Sequence, residues 1–66
     1  MTIIVNGQTR EIAAGTNLTQ LLKQMQLNAE CVAVECNLDV VERDTFTSLL
    51  LRAGDKLEIV QFVGGG

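Results

Sequence analysis

An α+β fold, with one helix lying across a mixed sheet, is what the sequence predicts, and three observations predict it. Asn6-Gly7 follows a β-branched run and precedes an alternating one. That is the strongest short hairpin signal, because a type I′ turn needs φ > 0 at both central positions. Leu18, Leu21, Leu22 and Met25 fall at i, i+3, i+4 and i+7, one apolar stripe of an α-helix. Residues 56–63 then form the last and longest strand. Hairpin, then helix, then sheet places one helix on a mixed sheet.

The elements follow in order. Residues 2–6 make the first strand, and residues 8–13 return from the turn. Thr9 and Glu11 point one way, Arg10, Ile12 and Ala14 the other. Gly15 breaks the pattern. Asn17 is a good helix N-cap, and Gln20 three residues on closes a capping box. Gln20, Lys23, Gln24 and Gln26 cover the wet faces, and Met25 reads as a core filler. Asn28 is the expected helix stop.

Residues 30–37 read as a third strand, with Val32, Val34 and Cys36 on one face and Cys31, Ala33 and Glu35 on the other. Residues 37–39 turn into a short strand over 40–42. A single helical or 3₁₀ turn is expected over 43–46, and Leu49, Leu50 and Leu51 fill space without clear periodicity. Residues 53–55 turn into the last strand. That strand is expected to lie parallel to the first, inside the sheet, because both carry apolar residues on both faces.

Composition bounds the function. The chain has 66 residues, 47% of them hydrophobic, with a net charge of -3. That is one domain, too apolar to be a disordered tail. It has no His, Trp, Tyr or Pro and two Cys. A His triad, a His metal site and a four-Cys zinc ribbon are therefore excluded. Cys31 and Cys36, five apart in one strand, would sit on opposite faces and could not bridge each other. They read as small hydrophobes, not as a metal site. A pI near 4.6 argues against nucleic acid. No apolar run nears the roughly 20 residues of a membrane span, and no signal peptide is visible. A soluble, cytoplasmic chain, monomeric when free, is expected.

The unusual local feature is Gly64-Gly65-Gly66. Without Cβ atoms such a tail is thin, and three residues reach about 10 Å. The sequence divides into a domain over 1–63 and a flexible tail over 64–66. A terminal glycine carboxylate could enter a narrow channel in another protein and meet a phosphate at near-attack distance. A frayed terminus is the competing reading of the glycines alone.

Four stretches taken in order narrow this. They are Ile3-Ile4-Val5-Asn6-Gly7, then Gly15-Thr16-Asn17-Leu18-Thr19-Gln20-Leu21-Leu22, then Val40-Val41-Glu42-Arg43, then Gly54-Asp55-Lys56-Leu57-Glu58-Ile59-Val60. Phe62-Val63-Gly64-Gly65-Gly66 closes the series. In order and spacing the whole chain resembles the ThiS-type sulfur carrier proteins of thiamine biosynthesis, in the ubiquitin-like β-grasp superfamily. The resemblance implies that a ThiF-type adenylyltransferase uses ATP to adenylate the Gly66 carboxylate. A persulfide sulfur donor then gives a thiocarboxylate, and that sulfur passes to a ThiG-type thiazole synthase. It implies no bound cofactor, no intrinsic catalytic residue, and no enzyme activity in the carrier itself. A carrier for molybdopterin synthesis, a ubiquitin-like modifier joined to lysines through Gly66, and a bare interaction domain are the competing readings. Short length and Gly64 favour the thiazole pathway.

Alternation along the last strand puts Leu57, Ile59, Gln61 and Val63 on one face and Glu58, Val60 and Phe62 on the other. With the first set in the core, Val60 and Phe62 are exposed beside the tail, and Ile4 joins them in a partner-binding patch. Glu58, Glu35, Glu11 and Asp55 steer the chain to basic partners, or form an ordinary solvated face.

Overall fold

The computed structural model describes residues 1–62. Five strands are present: β1 (Thr2–Val5), β2 (Gln8–Glu11), β3 (Val32–Cys36), β4 (Asp39–Val40) and β5 (Lys56–Gln61). One helix, α1 (Leu18–Gln24), joins the first hairpin to the rest, and 3₁₀ turns occupy Ala29–Cys31 and Arg43–Thr45. The sheet order is β2-β1-β5-β3-β4. β5 lies at its centre, parallel to β1 and antiparallel to β3, as its apolar pattern predicts.

The first hairpin forms because Asn6 (φ 50) and Gly7 (φ 81) both take the left-handed backbone of a type I′ turn. The capping box of α1 also forms. Asn17 Oδ1 accepts the Gln20 N–H at 2.8 Å, and Gln20 Oε1 accepts the Asn17 N–H at 2.9 Å.

The helix stops earlier than expected. Gln26 (φ 60) is left-handed and donates to Lys23 O at 3.0 Å, while Leu27 donates to Leu22 O at 2.9 Å. This is a Schellman motif with glutamine in the usual glycine position. Asn28 instead begins the following 3₁₀ turn, its Oδ1 accepting the Glu30 N–H at 2.9 Å.

That turn also corrects the reading of the cysteines. Cys31 belongs to the 3₁₀ turn and only Cys36 to β3, so alternation along one strand does not relate them. Both are free thiols. The β3–β4 turn is a second left-handed pair, Asn37 (φ 52) and Leu38 (φ 76). β4 covers Asp39–Val40, shorter and earlier than the 40–42 expected. Val41 N–H still reaches Val34 O at 2.9 Å before the chain turns away.

α1 packs Leu18, Leu21 and Leu22 against Ile3, Val5, Val32, Val34, Leu57 and Ile59 from the sheet. Ile12, Phe46 and Leu51 close the ends of this core, and Met25 packs on its margin. Of the leucine triplet, only Leu51 is fully buried. Leu49 is marginal and Leu50 is largely exposed, so the triplet fills space only in part.

Candidate functional site

The sheet face away from α1 is open, and β5 runs along its middle. Period-two alternation buries Leu57 and Ile59 and turns Glu58, Val60 and Phe62 outward. Val60 is 60% exposed and Phe62 52%. β3 lies alongside in register, with Ala33 opposite Val60 and Glu35 opposite Glu58. β4 adds Val40, opposite Glu35 and 72% exposed. The open face therefore holds an apolar cluster of Ala33, Val40, Val60 and Phe62 beside two like charges, Glu35 and Glu58.

Phe62 is held by its backbone. Its N–H donates to Cys31 O at 2.7 Å. Its side chain borders a groove of about 210 Å³ together with Val32, Val40, Val41, Arg43 and Phe46.

Among the residues expected on this face, the structure brings Glu58 and Val60 together on β5, with Phe62 on the same side just past its end. Ile4 shares the face but not the neighbourhood. It is level with Lys56 in the parallel register and partly buried. Val60 is four residues further along β5, about 13 Å at the rise of a strand. Sequence reading missed Val40 and Ala33. The Asn37-Leu38 turn would have set the pairing that puts Val40 opposite Glu35, but Leu38 at φ 76 is not a usual turn residue. Of the acidic set, Glu11 lies on the far edge strand. Asp55 is engaged locally, accepting from Arg52 N–H at 2.8 Å and from Asn37 Nδ2 at 3.1 Å.

Burial pushes the Cys36 thiol above its ordinary value of 9.0, and the carboxylates of Asp55 and Asp39 add to the shift. A thiol held neutral is a poor nucleophile. No cluster of three or more metal-ligating side chains occurs among the described residues, and no helix among them is long and apolar enough to cross a membrane. The expected tail, Gly64, Gly65 and Gly66, lies outside the described residues, as does Val63.

The model of the ThiS family matches residues 3–66. This chain belongs to the ThiS family. A crystal structure of the thiamine biosynthesis protein ThiS from Geobacter metallireducens superposes with a TM-score of 0.85 at 38% identity, each chain covered in full. Its match identifies the five-stranded mixed sheet with one helix as the ubiquitin-like β-grasp. The sulfur carrier protein ThiS of Escherichia coli is 29% identical over 66 residues, the full length of both chains. A thiazole synthase from Paramagnetospirillum magneticum is 38% identical over 66 residues, which are all of this chain and 20% of that relative. The chain thus spans about one fifth of the length of that relative. The face built by β5, β3 and β4 reaches Phe62, the last of the described residues.

Proposed function

We propose that this chain is a sulfur carrier of thiamine biosynthesis, with Gly66 as its reacting group. The Gly66 carboxylate attacks the α-phosphorus of ATP on a ThiF-type adenylyltransferase, and pyrophosphate leaves. The terminal sulfur of a persulfide donor then attacks the acyl carbon and AMP leaves. A thiol breaks the remaining sulfur–sulfur bond, freeing the thiocarboxylate and leaving a disulfide on the donor side. A ThiG-type thiazole synthase receives the sulfur. The carrier supplies no catalytic side chain and acts as a protein substrate, with residues 1–63 as its domain and residues 64–66 as its tail. Its setting is the cytoplasm, where two unpaired thiols persist.

The observation that carries this reading is where β5 leads. The central strand, tied to both neighbours, brings Phe62 to the edge of an exposed apolar face four residues before Gly66. A partner gripping that face has the tail within reach of its active site. The family match running through the glycines, and a thiazole synthase containing a stretch like this chain, support the pathway.

Intact-mass measurement tests it. Incubation with the activating enzyme, ATP and a persulfide source should shift the mass by one O-to-S exchange. Deleting Gly65 and Gly66 should abolish the shift. Stable lysine conjugates, or no change in mass, would reject the carrier role.

A further inference from the structure

Arg43 opens the second 3₁₀ turn, yet its side chain reaches back to the start of β3. Nε donates to Ala29 O at 2.9 Å and Nη2 donates to Val32 O at 3.0 Å. Among the described residues it pairs with no carboxylate, the one ion pair there joining the Met1 amino group to Glu11. The guanidinium is used on the main chain. β4 pairs with β3 only at Glu35–Val40 and Cys36–Asp39, with one further bond from Val41 to Val34. At Val32 the planar fork of Arg43 takes the place that another strand residue would hold.

The two carbonyls that Arg43 holds bracket Cys31. The Cys31 carbonyl is the acceptor for Phe62 N–H at 2.7 Å. A short relay thus runs from Arg43 through residues 29–32 to Phe62. Asn28 fixes the other end of the same segment, accepting from Glu30 N–H through its side chain and from Cys31 N–H through its carbonyl, both at 2.9 Å.

We propose that Arg43 is a positioning residue for the reacting group: it fixes the segment that fixes Phe62, four residues before Gly66 in the sequence. This rests on the carrier reading, because only there does the position of Phe62 bear on chemistry at Gly66. A displacement of about 1 Å, even one arising far from the reacting atoms, can cost about a hundredfold in rate. Lysine cannot replace this arginine, since a compact ammonium does not span two carbonyls as a rigid fork does.

The test uses the whole chain with Arg43→Met and Arg43→Lys. Amide hydrogen exchange at Phe62 should accelerate about tenfold in both, the scale of one lost charge-assisted hydrogen bond. The Asn6 and Ile59 amides, on the other side of β5, should stay within about twofold. In ATP–pyrophosphate exchange by the activating enzyme, kcat should fall about tenfold or more while KM rises by clearly less, because Ala33, Val40 and Val60 of the docking face are untouched and only Phe62 loses its tether. Methylguanidinium added to Arg43→Ala should restore both readouts. Unchanged Phe62 exchange in Arg43→Met would overturn the relay. So would equal acceleration of every amide, which marks Arg43 as a general stabiliser. A raised KM with unchanged kcat would make Arg43 a docking contact instead. If Arg43→Met does not fold, Arg43→Lys decides. If the wild-type chain supports no pyrophosphate exchange, the carrier reading fails, while Phe62 exchange still decides the relay.

Discussion

The side-chain amide of Asn6 holds both backbone polar groups of Ile59. Nδ2 donates to the carbonyl at 3.1 Å, and Oδ1 accepts the N–H at 2.7 Å. β1 ends at Val5, where the chain must turn, while β5 runs on to Gln61. The amide of Asn6 supplies the next rung of the parallel ladder that the backbone of β1 no longer provides. One residue serves the turn and the ladder together.

Asn6→Gly separates those two roles, because glycine keeps the left-handed turn and removes both hydrogen bonds. It should destabilise by about 1–3 kcal/mol. At roughly 4–8 °C per kcal/mol for a domain of this size, thermal unfolding reads this directly. An unchanged midpoint would show that water replaces the amide without cost.

Gln26 makes the opposite prediction. It occupies the left-handed position of a Schellman motif at φ 60, where a side chain is strained and glycine is not. Gln26→Gly should raise stability by about 0.5–1 kcal/mol, net of the extra freedom glycine gains when unfolded. Chemical denaturation should show a higher midpoint at an unchanged slope.

Phe62→Ala should leave the fold intact, because the side chain is half exposed and the Phe62 N–H bond to Cys31 belongs to the backbone. Its affinity for the activating enzyme or the synthase should fall by roughly tenfold, the scale of an aromatic anchor at an interface. Calorimetric titration beside a melting curve checks both halves. Loss of folding without a selective binding defect would remove Phe62 from the docking face.

Glu35 and Glu58 face each other across β3 and β5. Like charges directly opposite in a sheet are unfavourable, so Glu35→Lys should stabilise by roughly 0.2–1 kcal/mol. The gain should shrink at high salt, where exposed charges are screened. Stopped-flow association with a basic partner should become slower in the same variant. Equal melting points and association rates in wild type and variant would make the pair an ordinary solvated surface.

The Cys36 thiol carries a pH dependence with a definite sign. Burial, with Asp55 and Asp39, raises its folded pKa above the ordinary 9.0. The unfolded thiol therefore ionises first. The contribution to stability is complete below the unfolded pKa and is lost as pH rises through the folded one. The difference between the unfolding midpoints of wild type and Cys36→Ala should be constant at neutral pH and change only on the alkaline side of about pH 9. Alkylation of Cys36 at neutral pH should be slower in the folded chain than in urea.

How much was legible depended on how far each interaction reaches along the chain. The capping box of Asn17 and Gln20 spans three residues, and the Asn6-Gly7 turn lies between adjacent strands. Local hydrogen bonding decides both, so both could be read directly. The central place of β5 was expected from its apolar residues on both faces, and β5 is central, although only Leu57 and Ile59 are buried and the apolar residues Val60 and Phe62 lie on an open face.

Other features depended on partners far away in sequence. Nothing near Gln26 marks it as the helix stop, since glutamine has no preference for left-handed backbone; the stop follows from how Leu22 and Leu27 seat in the core. Cys31 left the strand because Asn28 capped a 3₁₀ turn first. Ile4 has the right face but the wrong level, and only the parallel register of β1 on β5 could say so. The sequence assigned Arg43 only to a turn, and the fold alone brought it to carbonyls 11 and 14 residues away.

The sequence by itself determined the α+β class, the order of its elements, and the inward and outward faces of β5. These rest on periodicity and on contacts within a few residues. The tertiary structure alone decided which exposed residues share one neighbourhood: Val40 and Ala33 with Val60 and Phe62, and Glu35 opposite Glu58. The physical reason is register. Strand pairing between distant segments fixes it, and a shift of one residue would have turned every one of those side chains to the other face.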